Sequence, residues 1–234
     1  MAGRDLSLTP RKVATRAKAK VEIFKIDDIE RHFNENISYI KSQYQTADAL
    51  IKDGKTGEAA DIWRSQIVFL DSAFDFYLHE LVQFGILRIF HGEWLSKTEK
   101  YNNLVFSMKN IEEALANTDD DTWLKNWVNG KFASDSLMSY SAFKDVCNLL
   151  GLDYNKIADD SFYERGNTEK TVDKLKRRID ELFYRRNRIA HQMDRLRENA
   201  ERQDITRDVV EQFINDVEKI VHAVGNEVQK QNQT

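Results

Sequence analysis

Arg185-Arg186-Asn187-Arg188-Ile189-Ala190-His191 sets three guanidiniums, an amide and an imidazole into an otherwise apolar helical seam. Upstream, Val172, Leu175, Ile179 and Leu182 recur at alternating steps of three and four, and downstream Ile189, Met193 and Leu196 continue the stripe. That spacing is one face of an α-helix and predicts helix from about Asn167 to Glu198. The next seam position after Leu182 is Arg186. A guanidinium stays charged, so on a buried stripe it requires a partner, which makes Arg186 a site candidate.

Working outward, the 234-residue chain contains nine Gly and a single Pro, Pro10. So few breakers favour long helices, and the length suits one sizeable domain. The expected fold is all-α, an up-and-down helical bundle. Residues 57–90 form the most apolar segment, with Ile67, Leu70, Phe74, Tyr77, Leu78, Leu81, Val82 and Ile86 wrapping most of the circumference, as in the central helix of a bundle. Ile29, Phe33, Ile37 and Ile40 predict a helix from Ile26 to Ile51, stopped by Asp53-Gly54-Lys55. A last helix is expected from Thr206 to about Val228, with Val209, Val210, Phe213, Ile214, Val217, Ile220, Val221 and Val224 inward and Asp204 or Thr206 as its cap.

Between the central and motif helices, residues 95–165 predict a helical insertion or lid. One helix carries Trp123 and Trp127 behind the acidic run Asp119-Asp120-Asp121, and another runs from Ser136 to Leu150 and ends at Gly151. Residues 1–25 are expected as a flexible basic arm, residues 26–228 as a single helical domain, and 229–234 as a frayed tail.

The formal net charge of −4 is unevenly spread. Residues 1–20 and 170–188 are each strongly basic, on an otherwise acidic chain. Local cationic patches suit a phosphate contact, whereas whole-surface binding to nucleic acid would call for a basic chain, and a basic arm or helix face is equally the composition of a solvated one. Cys147, the single cysteine, excludes an internal disulfide and suits the cytoplasm. No apolar run is long enough for a membrane span, and no signal-peptide core is visible. The absence of a Gly-rich phosphate loop and of metal-ligand spacing points to no metal and no cofactor; His32, His79, His91 and His222 read as structural.

Within the central helix, Asp71, Asp75, His79 and Gln83 follow at i,i+4 and share one side. Such a stripe reads as a wet face, or else Asp75 turns to the core and holds the cation at Arg186. The Arg-His spacing alone decides nothing: with sixteen Arg and five His in the chain, about one pair at this range of spacings arises by chance.

The fuller string from Arg186 to His191, preceded by the apolar helix containing Ser72-Ala73-Phe74-Asp75-Phe76-Tyr77-Leu78-His79-Glu80-Leu81, resembles the HEPN superfamily and looks closest to the RiboL-PSP-HEPN group. The resemblance covers about 63–90 and 170 to the C-terminus. It implies an α-helical homodimer and, in many members, a metal-independent endoribonuclease of toxin or anti-phage systems, with an antitoxin or defence partner; other members are catalytically silent and bind a protein or nucleic acid. By position it implies Arg186 and His191 as the catalytic pair and Asn187 as their polar companion, with Asp75 a loose match to an acidic position. Arg185 and Arg188 read as phosphate-steering or solvated charges.

Those residue types suit RNA cleavage, in which one group removes the 2′-hydroxyl proton, one protonates the departing 5′-oxygen, and positive charge meets the phosphate. One His per chain is one short, and a symmetric dimer would supply the second. Residues five apart on a continuous helix diverge by about 140°, so Arg186 and His191 converge only through a bend, a long Arg reach or a dimer.

Overall fold

The structure, a computed structural model, describes residues 23–94, 97–116, 118, 120–132 and 135–231. Ten helices occur among them: α1 (Ile26–Ser42), α2 (Tyr44–Lys52), α3 (Thr56–Phe90), α4 (Glu99–Asn102), α5 (Met108–Ala116), α6 (Thr122–Phe132), α7 (Tyr140–Leu150), α8 (Tyr154–Phe162), α9 (Thr171–Gln192) and α10 (Arg207–Gln231). No strand forms among the described residues; the β geometry there is the isolated bridge between Arg195 and Arg202. The fold is the expected all-α bundle. The basic arm lies almost wholly outside the described residues.

The 35-residue α3 is the axis of the bundle, packed by α1, α2, α6, α7, α9 and α10. Its apolar residues bury on nearly all sides, which is why the sequence shows no single apolar stripe there. Gly85 illustrates the crowding: a Cβ there would stand 2.7 Å from Leu150 Cδ2, so the absent side chain admits α7. That fit offsets the roughly 1 kcal/mol that glycine costs in a helix interior.

On α1, Ile29, Phe33, Ile37 and Ile40 bury against α3 as their spacing predicts. The expected continuous helix to Ile51 is interrupted at Gln43, whose N–H folds back to Ile40 O at 3.2 Å. The buried Gln66 amide also donates to Ile40 O, at 2.7 Å. A side chain from α3 thus pins the carbonyl at the break, a tertiary contact with no local signature.

The segment between α3 and α9 is helical, as expected. Phe143, Leu150, Ile157 and Phe162 of α7 and α8 belong to the same core as α3, while α5 buries no residue. Thr206 Oγ1 accepts the Val209 N–H and caps α10. That helix runs three residues further than expected, through Gln231, whose side chain donates to Gly151 O at 3.2 Å. No helix among the described residues is long and apolar enough to cross a membrane.

Candidate functional site

The motif helix is shorter than its seam suggests. It starts at Thr171 and ends at Gln192, where Met193 (φ 52°) and Asp194 (φ 61°) adopt left-handed backbone. Met193 is therefore 62% exposed rather than part of the seam. The reversal has a cause on the opposite side of the chain: Asp194 is fully buried, and its Oδ2 accepts from Arg64 Nε at 3.0 Å and Arg185 Nη2 at 2.8 Å. Arg64 also donates to Gln203 O, and Arg185 to Asp204 O, each at 3.0 Å. Two guanidiniums thus clamp both ends of a small hairpin, residues 194–203, closed by the Gln203 N–H to Asp194 O bond at 2.9 Å and the Leu196 N–H to Glu201 O bond at 2.8 Å.

Arg185 is consequently no steering charge. The residue is buried, its Nη2 is taken up by Asp194 and backbone carbonyls, its Nε is buried without a hydrogen-bond partner among the described residues, and burial pulls its pKa below the ordinary value against the pull of Asp194. Arg188 is half-buried and donates to Gln203 Oε1, so it too braces the hairpin.

Arg186 is the residue that reaches α3. Its Nε donates to Asp71 Oδ2 at 2.6 Å, and its Nη1 to Asn187 Oδ1 at 2.9 Å. Asp71 is fully buried and its other oxygen has no hydrogen-bond partner among the described residues. Burial pushes the Asp71 carboxyl up to about 6; the hydrogen bond and charge of Arg186 work against that shift and the neighbouring Asp75 adds to it.

Asp75 is not the partner of Arg186. It accepts the Leu137 N–H at 2.7 Å and lies 3.6 Å from His79 Nε2. His79 in turn meets Asp135 O at 3.0 Å, and its pKa is raised first by Asp75. Nor is the stripe Asp71, Asp75, His79, Gln83 a wet face, since each is buried or half-buried. It braces the chain around 135–137 against α3.

α9 continues unbroken through the motif, so the angular conflict between Arg186 and His191 is not removed by a bend. Arg186 points back to Asp71 and does not line the groove in which His191 stands. That groove, about 350 Å³, is lined by Tyr184, Asn187, Arg188, His191 and Gln192 and by residues 195–198 of the hairpin. Asn187 connects the two. Its oxygen is held by Arg186, its NH₂ has no hydrogen-bond partner among the described residues, and the residue lines the groove. The geometry thus joins Arg186, Asn187 and Asp71 directly, sets His191 one turn beyond Asn187, and separates Asp75 and Arg185 from both.

The RiboL-PSP-HEPN family model matches residues 27–230, nearly the whole chain. The chain belongs to that family. HEPN families commonly contain ribonucleases. No curated protein and no solved structure matches this HEPN chain. Asp71, Arg64 and Asp194 were not legible as site residues of this HEPN domain: each owes its place to the docking of α3 on α9, for which a single sequence carries no signal. Among the described residues no group of three or more His, Cys, Asp or Glu side chains converges as a metal-ligand set.

Proposed function

We propose that this chain is a homodimeric, metal-independent endoribonuclease of a toxin or anti-phage system, using His191 as proton carrier and Arg186 with Asn187 as the polar frame of the site. The observation that carries the reading is the relay from buried Asp71 through Arg186 to Asn187, ending one helical turn from an exposed imidazole. A buried carboxylate whose own oxygen is left unpartnered is costly to keep. Its pairing with Arg186, which in turn holds Asn187 one turn before His191, fits a site tuned for chemistry.

In that reaction His191 removes the proton from a ribose 2′-hydroxyl. The 2′-oxygen bonds to phosphorus as the bond to the 5′-oxygen breaks, and the His191 of a second copy protonates the departing oxygen. The products are a 2′,3′-cyclic phosphate and a 5′-hydroxyl. The Asn187 amide and the groove arginines face the charge that builds on the phosphate. Self-association is supported by a surface beside the motif: Val68, Phe69, Ile189 and Met193 form the apolar part of a hollow of about 290 Å³ that Asp61, Arg64, Ser65 and Arg202 also line, and Phe76, two turns beyond Phe69 on α3, is exposed.

Incubating the purified protein with RNA in excess chelator tests this reading. Cleavage is expected, and His191→Ala should lower it by roughly 10²–10⁴-fold with the melting temperature unchanged, because the side chain is exposed. Intact RNA with the wild-type protein would refute it. A second reading, a silent module that binds nucleic acid, is favoured by the absence of Arg186 from the lining of the groove that holds His191; it requires RNA binding without cleavage.

A further inference from the structure

Tyr184 is 61% exposed in the second half of α9, between buried Leu182 and buried Arg185. Tyr184, Asn187 and His191 stand at i, i+3 and i+7, so one face of the helix carries all three, and all three line the same groove. The ring also borders a second groove of about 600 Å³ toward α10, lined in part by Val209 and Phe213. It therefore stands as a ridge between two hollows.

The facing wall is the hairpin. Arg195 Nη1 is tied to Ala200 O at 2.5 Å, while exposed Arg197 has no hydrogen-bond or ion-pair partner among the described residues. Glu198 is the one carboxylate on this rim, against Arg188, Arg195 and Arg197. The hairpin is not a loose loop, since Asp194 anchors it between Arg64 and Arg185. The anchored hairpin thereby brings Arg197 to the same groove as Tyr184 and His191.

We propose that this groove is a subsite for one unstacked nucleotide of a single-stranded RNA, with its base lying on Tyr184 and its phosphate between Arg197 and the Asn187 amide. The subsite rests on the ribonuclease reading for its chemistry, but its occupancy is measurable without cleavage. An exposed aromatic face accepts any base, because every base has a π surface, and a duplex offers none to it. The groove therefore discriminates strandedness more than sequence. Tyr184 positions a base and is not a proton carrier.

The test is binding of a 2′-O-methyl RNA strand, which lacks the nucleophilic hydroxyl, carrying 2-aminopurine, to the full chain. The strand is measured alone and annealed to its complement. Quenching of 2-aminopurine and preference for the single strand are expected. Tyr184→Phe should keep both, and Tyr184→Ala should lose the quenching and weaken binding roughly 10- to 100-fold. Arg197→Ala should preserve quenching and lower the salt dependence by about 0.7 in log–log slope. Equal binding of duplex, or wild-type affinity and quenching in Tyr184→Ala, overturns the subsite. If Tyr184-dependent binding is found but unmodified RNA is not cut, the subsite stands and the ribonuclease reading falls; if RNA is cut and Tyr184→Ala changes nothing, the reverse holds.

Discussion

Arg186 Nε lies 2.6 Å from Asp71 Oδ2, and the two residues are 115 positions apart in the chain. This bond fixes the register of the motif helix on the central helix. It also links a titratable group to the frame of the site, because the carboxyl of Asp71 is shifted up to about 6 by burial.

A carboxyl whose folded pKa exceeds its unfolded value of 3.8 binds its proton more tightly in the folded state. Its stabilising contribution is complete below about 4 and is lost as pH rises through about 6. Asp71→Asn should therefore gain stability relative to wild type as pH increases across that window, measured by denaturant unfolding at several pH values. Parallel curves for the two proteins would contradict the shift. RNA cleavage by the wild type should decline as pH falls through about 6, when protonated Asp71 no longer holds Arg186 as an ion pair.

Asp194 sits between two guanidiniums, so its removal leaves buried Arg185 without a counter-charge and Arg64 with the exposed Asp61 alone. Asp194→Ala should cost about 3–5 kcal/mol, and calorimetry is the measurement. Hydrogen exchange should show residues 194–203 losing protection before the rest of the bundle. A loss below 1 kcal/mol would mean that the hairpin is held by something other than this triad.

Met193 is an exposed, left-handed, non-glycine residue immediately after the motif helix. Helix ends of this geometry favour glycine, so Met193→Gly should raise stability by about 0.5–1 kcal/mol. The methionine also lines the apolar hollow shared with Phe69. The same substitution should therefore weaken self-association in sedimentation. If stability rises and association is unchanged, the dimer uses another face.

A mixed dimer of Arg186→Ala and His191→Ala chains separates a composite site from one contained in each protomer. If Arg186 of one copy serves His191 of the other, the mixed dimer keeps one intact pair and should recover up to half of the wild-type activity. In a within-chain site neither protomer is complete. Differently tagged chains, co-expressed and purified through both tags, give the measurement; activity no higher than either parent would exclude the composite site.

The sequence by itself determined the helical class, the central position of α3, the buried face of α1 and the inner side of α10. Those features follow from apolar spacing and the scarcity of Gly and Pro, which act locally and leave a periodic trace. It also marked Arg186, since charge on a seam demands a partner. Only the tertiary structure decided which partner. Asp71 and Asp75 occupy the same stripe one turn apart, and i,i+4 spacing treats them alike; the docking of α9 on α3 brings Asp71 to Arg186 and leaves Asp75 to Leu137 and His79. The end of α9 at Gln192 was hidden for the same reason. The seam continues in sequence through Met193 and Leu196, but a buried Asp194 held by Arg64 from another helix outweighs one more turn of apolar spacing.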